Sequence, residues 1–292
     1  MRWQGRRGSA HIEDRRGSGP RLGRGGGGLG RGGVQVGGFG LIAIVLIGWF
    51  LGVDVTPMLE GAGAPAGQSA APRELSQAER DAGEFVSVTL ADTEEVWQEI
   101  FRANGLDYTP VTLVLFSQVT PSSCGNASGA TGPFYCPVDG KVYLDTAFFA
   151  TMQSELGARG DFAFAYVVAH EVAHHVQDEL GILSQTMEAR RRVGTEEGNR
   201  ISVMTELQAD CLSGVWAKAA EDRFGALDPG DIQEALDAAA RIGDDTLMRN
   251  AGRVPMPESF THGTSEQRQR WFAEGYDSGD MNACDTFRAT DL

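Results

Sequence analysis

The sequence predicts an α+β fold in which a small group of strands precedes a mainly helical region. Residues 77–104 repeat apolar side chains at helical spacing and stop at Asn104-Gly105, which indicates a long first helix. Short runs of β-branched and aromatic residues then predict strands at 111–119, 134–135 and 142–144. From residue 146 onward helical patterns dominate. Strands kept apart from a later run of helices are typical of α+β domains.

The region between the first two strand candidates is expected to be irregular. Residues 121–133 read as a turn-rich loop that holds Cys124, and a turn at Asp139-Gly140 separates the last two strands. Lys141–Asp145 is our candidate for an exposed edge strand, because such an edge can hold a substrate backbone by strand addition. An ordinary core strand is the alternative interpretation.

The first 33 residues are rich in arginine and glycine, and we expect them to be a disordered cytoplasmic segment. They carry eight arginines against Glu13 and Asp14, a net charge of +6, so the rest of this chain of net charge −15 carries −21. A segment with so few large apolar side chains cannot bury enough surface to offset its ordering entropy. The acidic remainder repels phosphate backbones, so we expect no nucleic-acid partner for it.

An apolar run without a charge, residues 39–53, approaches the length that spans a bilayer once the residues before it are included. We therefore expect a transmembrane anchor over 34–54, a flexible linker over 55–76 and one folded domain over 77–292. A cleaved signal peptide and a buried core helix are the alternatives. The arginine-rich flank predicts a single-pass membrane protein, with its N-terminus in the cytoplasm and the folded domain outside.

The strongest chemical signal is the run His170-Glu171-Val172-Ala173-His174. It lies in an apolar stretch, residues 161–180, that ends at Gly181 and predicts a buried helix. Positions i and i+4 share one helix face, so both imidazoles can bind one ion, and neutral imidazole suits zinc. Glu171 can then act as general base toward a water that the metal activates. His175 points about 100° away around the helix, so we expect it to pack rather than to bind metal.

A third protein ligand is expected from a later helix. The metzincin spacing would require His at position 180, where this chain has Leu180. Residues 201–217 show helical spacing, and within them Glu206 and Asp210 lie four residues apart on one face. We expect Glu206 to complete a site for one Zn²⁺ ion, while Asp210 orients a ligand imidazole through its other N–H group. Asp210 and His262 are the alternative third ligands.

The sequences HEVAHHVQ (170–177) and ELQADC (206–211) together resemble the predicted neutral zinc metallopeptidase family of bacterial membrane proteins. The opening MRWQGRRGSAHIEDRRG, PFYCPVDGKVYLD (133–145) and THGTSEQRQRWFAEGYDSGDMNACDTF (261–287) extend the resemblance over nearly the whole chain. The resemblance implies a zincin-like domain of the glutamate-zincin type with an HExxH active-site helix. More distantly, the helix pair is similar to membrane-linked peptidases of the heat-shock-protease type, which also carry a His and then an Arg near the C-terminus. His262 and Arg268 are the comparable residues here, although Gly263 stands where those relatives tend to have Pro.

His262 is the remaining histidine that could reach the site from a loop. Its imidazole could donate a hydrogen bond to the oxyanion that forms during peptide hydrolysis, which would make it a catalytic residue. Alternatively, His262 belongs to the start of the next helix, where Thr264 and Gln267 have the spacing of a capping box. Both interpretations stay open at this point.

Four cysteines are present, and none of them has C-x-x-C spacing. Disulfides are expected if the domain lies outside the cytoplasm, and three connectivities are possible. We favour Cys124–Cys136, which encloses a short loop, and Cys211–Cys284, which fastens the C-terminal tail to a metal-bearing helix.

These observations predict zinc-dependent hydrolysis of peptide bonds by an endopeptidase. The expected partners are a protein or peptide substrate and, through residues 34–54, a membrane. One alternative is a catalytically silent, zinc-stabilised extracytoplasmic interaction domain, which would keep the metal but would not need Glu171. Another makes the arginine-rich tail the functional module, binding nucleic acid or anionic lipid.

Overall fold

A computed structural model describes residues 1–17, 74–128, 131–154 and 157–292. The helices are α1 (Gln77–Ala103), α2 (Ala147–Ser154), α3 (Phe162–Glu179), α4 (Ile182–Arg191), α5 (Thr195–Phe224), α6 (Asp231–Arg241), α7 (Asp244–Asn250) and α8 (Ser265–Ser278). The strands are β1 (Ile12–Asp14), β2 (Thr112–Phe116), β3 (Val119–Ser122), β4 (Gly125–Ser128), β5 (Phe134–Cys136) and β6 (Lys141–Asp145). Short 3-10 turns lie at Pro257–Ser259 and Met281–Cys284. The predicted α+β class is confirmed.

The main sheet has the strand order β1-β2-β6-β5. Strand β2 pairs in parallel with β1 and β6, and β5 is antiparallel to β6 across the turn at Asp139-Gly140. The candidate edge strand Lys141–Asp145 is β6, which lies between β2 and β5, so its assignment as an edge was wrong. Its parallel pairing with β2 joins segments distant in sequence, and a local pattern does not show such pairing.

The expected loop at 121–133 was also wrong in part, because it contains most of a β-hairpin. Strands β3 and β4 pair antiparallel, so the predicted strand over 111–119 divides into two. The division occurs at Gln118, which has a φ of 69° and donates its backbone N–H to Asp145 at 2.9 Å. The hairpin is therefore tied to the end of β6.

The predicted first helix is confirmed as α1, and its start has the chemistry of a capping box. The Ser76 hydroxyl accepts the Glu79 backbone N–H, and the Glu79 carboxylate accepts the Ser76 N–H. At the other end the helix stops at Asn104, as the Asn104-Gly105 pair predicts. The predicted helix over 201–217 is the middle of the longer helix α5.

Helix α3 packs in the core against α1, α5 and α6, and α8 packs along α5. The crossing of α5 and α8 is close because each helix has a glycine at the contact. A Cβ atom on Gly275 would lie 1.8 Å from the carbonyl oxygen of Cys211, and one on Gly214 would lie 2.1 Å from that of Phe272. Neither position has room for a side chain, so these two glycines fix how near α8 approaches α5.

The favoured disulfides are both present in the structure. Cys124, in the turn between β3 and β4, is bonded to Cys136 at the end of β5. Cys211 on α5 is bonded to Cys284 in the last 3-10 turn, so the C-terminal segment is covalently held against α5. All four cysteines of the chain are accounted for by these two bonds.

The N-terminal segment packs on the rest of the protein, although disorder was predicted for residues 1–33. Residues Ile12–Asp14 form β1 at one edge of the main sheet, and Met1 is buried in the core with 6 % of its surface exposed. Trp3 packs edge-on against Phe85 on α1, with ring centroids 5.6 Å apart. The prediction was wrong for residues 1–17, because it judged the segment by its own apolar content and ignored the acidic surface that receives it.

The predicted anchor over 34–54 lies outside the described residues, as do residues 18–33 and most of the predicted linker. Within the ranges that the structure describes, no helix combines the length and the apolar character that crossing a membrane requires. Residues 1–17 pack with the predicted folded domain over 77–292, so the folded domain is formed by two separate stretches of the sequence.

Candidate metal centre

Helix α3 carries the His170–His174 run at the centre of the protein. Its apolar residues pack on all sides, and both His170 and Glu171 are more than nine-tenths buried. Because the two histidines are one helical turn apart, their rings lie side by side, with centroids 4.8 Å apart. The sequence prediction that one helix face presents both imidazoles is borne out geometrically.

Glu206 on α5 meets both imidazoles. One carboxylate oxygen lies 3.1 Å from His170 Nε2 and 3.5 Å from His174 Nε2. The three potential ligand atoms lie within 4.8 Å of one another. Glu206 is therefore the group that the structure brings to the histidine pair, while the alternative third ligand Asp210 contacts the far side of His170.

The outward nitrogen of each ring has its own hydrogen-bond acceptor. His170 Nδ1 lies 2.9 Å from Asp210 Oδ1, and His174 Nδ1 lies 2.8 Å from Gln177 Oε1. The Gln177 amide orientation is fixed because its nitrogen donates to the Thr205 carbonyl oxygen at 2.8 Å. A carboxylate and an amide oxygen can only accept, so both Nδ1 atoms carry the proton. In the neutral rings, both Nε2 atoms then present a lone pair toward Glu206.

This donor set fits zinc. Two unprotonated Nε2 atoms and one ionised carboxylate oxygen point their lone pairs at the same place, with no proton between them. These lone pairs would repel one another, and a bound cation would remove the repulsion. The hydrogen bonds to Asp210 and Gln177 are the kind of outer contact that orients metal-binding imidazoles. His170, His174 and Glu206 would therefore hold the ion.

Electrostatics favour a charged site. Burial alone would raise the pKa of the Glu206 carboxyl, but the neighbouring imidazoles hold it well below its usual range. Burial alone would lower the pKa of His170, yet Asp210 and Glu206 raise it to about 10. The pKa of His174 is also raised, by Glu206 against the effect of burial. A positive charge is thus stabilised between these groups, and a metal ion would take the place of the proton.

Asp210 is the centre of a buried ionic network behind the site. Arg268 on α8 donates to both of its carboxylate oxygens, at 2.8 and 3.0 Å, and the Tyr166 hydroxyl donates at 2.5 Å. Asp210 and Arg268 expose 0 % and 3 % of their surfaces. Burial would raise the pKa of Asp210, but Arg268 and His170 bring it down to about 2. The predicted role of Asp210, orienting a ligand imidazole, agrees with this geometry.

Sequence reasoning missed Tyr166 and Gln177 as partners of this site. Tyr166 precedes His170 by four residues and so shares its helix face. Gln177 follows His174 by three residues and shares its face in the same way. These spacings were available in the sequence, but the identity of their partners depends on how α5 and α8 pack.

Glu171 and His175 lie one helical turn apart on α3, and each directly follows one of the two candidate ligand histidines. Glu171 is 8 % exposed, and its carboxylate is near enough to His174 to contribute to the raised pKa of that imidazole. His175 turns away from the metal ligands, and its Nε2 atom contacts the Thr109 carbonyl oxygen at 2.7 Å. The expectation that His175 packs rather than binds metal agrees with this placement.

His262 lies in the loop before α8, and this loop covers α5 beside Glu206. A Cβ atom on Gly263 would lie 3.1 Å from Leu207 and 3.4 Å from Val203, which are one residue after and three residues before Glu206. The loop is held by Asp244, whose carboxylate accepts the backbone N–H groups of Thr261 and His262, each at 2.7 Å.

The His262 ring also belongs to this arrangement. Its Nδ1 lies 3.3 Å from Asp244, and 41 % of the side chain is exposed. Burial opposes the positive charge, but Asp244 and then Glu206 raise the pKa of the imidazole. The capping box of α8 is formed by Thr264 and Gln267, as predicted, so His262 is not needed as a cap. The ring nitrogen contacts Asp244 and the Thr261 hydroxyl, and the role of His262 toward an oxyanion stays a prediction.

Comparison with known proteins identifies the family of this chain. The family model described as "Putative neutral zinc metallopeptidase" matches residues 1–287. "Uncharacterized protein YpfJ" of Escherichia coli (strain K12) is 47 % identical over 290 residues, covering 98 % of this chain and 99 % of the relative. "Uncharacterized protein Rv2575" of Mycobacterium tuberculosis is 42 % identical over 226 residues, covering 73 % and 74 %. No solved structure matches this chain. The chain therefore belongs to the neutral zinc metallopeptidase family, and membership implies zinc.

Proposed function

We propose that this chain hydrolyses peptide bonds in proteins or peptides, with one zinc ion held by His170, His174 and Glu206 in a zincin-like domain. The observation that carries the proposal is the convergence of two Nε2 atoms and one carboxylate oxygen within 4.8 Å of one another. Glu171 is not one of these three ligands, and it directly follows His170 on the same helix. Three protein ligands are what a catalytic zinc site requires, because the remaining position must take water or substrate.

The chemistry divides between the ion and the protein. Zinc, when bound, polarises the substrate carbonyl and makes water acidic enough to attack at neutral pH. Glu171 accepts the proton of the attacking water and passes it to the leaving amine. Asp210 and Gln177 keep both imidazoles in the tautomer that binds metal. His262 donates a hydrogen bond toward the negative oxygen that develops on the carbonyl.

Metal removal tests the proposal. We expect the purified chain to cleave members of a broad peptide library, to lose at least about 100-fold in rate after chelation, and to recover when one equivalent of Zn²⁺ is added. Mg²⁺ should not restore cleavage, because two imidazoles and one carboxylate suit zinc better. Cleavage that continues unchanged in the chelated protein would contradict a metal-dependent mechanism.

The role of His262 can be tested by pH. A cationic His262 donates to the oxyanion, so kcat/KM should fall as pH rises through its pKa. Asp244 raises that pKa. Asp244→Asn removes the negative charge, and we expect the alkaline limb of the kcat/KM profile to move to lower pH. The measurement is a pH–rate profile of the variant against the parent.

Asp245→Asn is the matched control for this test. The neighbouring carboxylate of Asp245 accepts from Ser265 and pairs with Arg249. Its pH profile should keep the parent's alkaline limb. An identical limb in all three proteins would remove His262 from the mechanism.

A further inference from the structure

The N-terminal segment, residues 1–17, is built into the same sheet as the proposed active-site domain. Strand β1 pairs in parallel with β2, so that Ile12, Glu13 and Asp14 lie opposite Leu113, Val114 and Leu115. Backbone hydrogen bonds to β2 also flank the strand at its two ends. Leu113 N donates to the His11 oxygen at 2.9 Å, and Arg15 N donates to the Leu115 oxygen at 2.7 Å. The segment therefore completes one edge of the sheet.

Charges on the segment match charges on α1. Arg6 donates to both carboxylate oxygens of Asp92, at 2.6 and 2.8 Å, and Asp92 is 4 % exposed. His11 lies 2.9 Å from Glu94, which is 5 % exposed. Both carboxylates lie where the segment packs against α1. Unpaired carboxylates buried in this way would be costly, so the body is built to receive a cationic partner at this surface.

Arg16 places the end of the segment beside the start of α1. Its guanidinium donates to the Glu79 carbonyl oxygen and lies over Gly83, and 9 % of Arg16 is exposed. A Cβ atom on Gly83 would lie 2.2 Å from Arg16 Nη2. The chain thus leaves the described structure after residue 17 and re-enters it at residue 74 at the same end of α1.

We infer that residues 1–17 are a structural part of the proposed peptidase domain, and that they lie on the same side of any membrane as residues 74–292. The hydrocarbon core of a bilayer is about 30 Å thick, whereas paired strands lie about 5 Å apart. A single crossing between residues 18 and 73 would put β1 and β2 on opposite faces of that core. Exchange of segments between two copies of the chain would not avoid the conflict, because every copy would be divided in the same way.

This inference replaces the predicted single-pass arrangement, with the N-terminus in the cytoplasm and the domain outside. That prediction assumes that the arginines are a solvent-exposed cationic flank of the membrane segment. Arg2, Arg6 and Arg7 instead pair with Asp228, Asp92 and Glu95 of the body. Any contact of residues 34–54 with a bilayer must then leave both flanks of that stretch on one face.

Cysteine labelling of the full chain in bacterial cells tests the inference. Ala10 on the segment is exposed, and Val254 on the body is 80 % exposed. We expect Ala10→Cys and Val254→Cys to respond alike to a membrane-impermeant maleimide in spheroplasts: both labelled, or both protected until the membrane is opened. One position labelled while the other is protected would overturn the inference. The parent chain, whose cysteines are all paired, measures the background.

A stability measurement tests the docking without a membrane. Ala is ordinarily a better helix residue than Gly, so Gly83→Ala should stabilise α1 if the segment is absent from this surface. With Arg16 docked, the added methyl group pushes the guanidinium off the Glu79 carbonyl oxygen, so we expect the thermal midpoint of the purified full chain to fall by about 2–4 °C. Gly198→Ala on α5 is the control. A Cβ atom there would have no neighbour closer than 4.0 Å, so the thermal midpoint of this variant should not fall.

The double variant makes this result specific to Arg16. In an Arg16→Ala background the clash is relieved, so adding Gly83→Ala should no longer lower the midpoint. A rise in the midpoint for Gly83→Ala alone, or an equal fall in both backgrounds, would overturn the docking of the segment.

Discussion

Glu171→Gln is expected to lower kcat/KM for peptide hydrolysis by a factor of about 10²–10⁴ while zinc stays bound. The amide keeps the size of the side chain but accepts no proton, so the attacking water loses its base. Glu171 is not among the converging ligand atoms, and its replacement leaves the two Nε2 atoms and Glu206 in place. The measurement is steady-state cleavage of a peptide substrate, with the zinc content of each protein determined in parallel.

Glu188→Gln is the matched control for this variant. Glu188 lies on α4, is 61 % exposed and pairs with Arg192 on the protein surface. Its replacement should change kcat/KM little. Equal rates for Glu171→Gln and the parent would leave a zinc-stabilised interaction domain as the better account of this chain.

Asp210→Asn is expected to have the largest effect on stability. Asp210 is fully buried and supplies the negative charge that Arg268 and the His170 ring face. Removing one partner of a buried ion pair costs about 3–5 kcal/mol, because the other charge stays buried without compensation. Urea unfolding of the zinc-free protein measures this loss.

The same variant should also weaken zinc binding. Without the carboxylate, the His170 tautomer is less firmly held, and such changes beside a metal site reduce affinity about 10–100-fold. Asp222→Asn, on the same helix but 60 % exposed, is the control and should match the parent in both measurements. A variant that binds zinc as tightly as the parent and unfolds at the same urea concentration would contradict the role given to Asp210.

The convergence of His170, His174 and Glu206 could be predicted from sequence because its geometry is mostly local. The spacing of His170 and His174 fixes their position on one helix face, and that of Glu206 and Asp210 does the same on another. Only the meeting of the two helices is non-local. It was inferred from the chemistry, since a histidine pair needs a third ligand.

The parts that sequence did not predict depend on pairing between distant segments. Whether β6 is an edge strand is decided by β2, about thirty residues earlier in the chain. Asp244 holds the His262 loop, and it belongs to the short helix α7, which no pattern in the sequence predicted.

The N-terminal segment was misjudged for a related reason. Its arginines were weighed as a feature of a disordered tail. The signal that could have corrected this lies in α1, where Asp92, Glu94 and Glu95 are close together in a chain with only two lysines. Carboxylates at apolar helix positions are buried and therefore require a cationic partner. In this sequence the arginine-rich N-terminal segment offers such partners.

The most direct test of the metal site is a crystal structure of the zinc-loaded protein with anomalous data at the zinc absorption edge. We expect one strong peak bound by His170 Nε2, His174 Nε2 and a Glu206 oxygen, at about 2.0–2.2 Å from each. A zinc peak elsewhere, or zinc on the two imidazoles with the Glu206 carboxylate turned away and no other side chain in its place, would contradict the account.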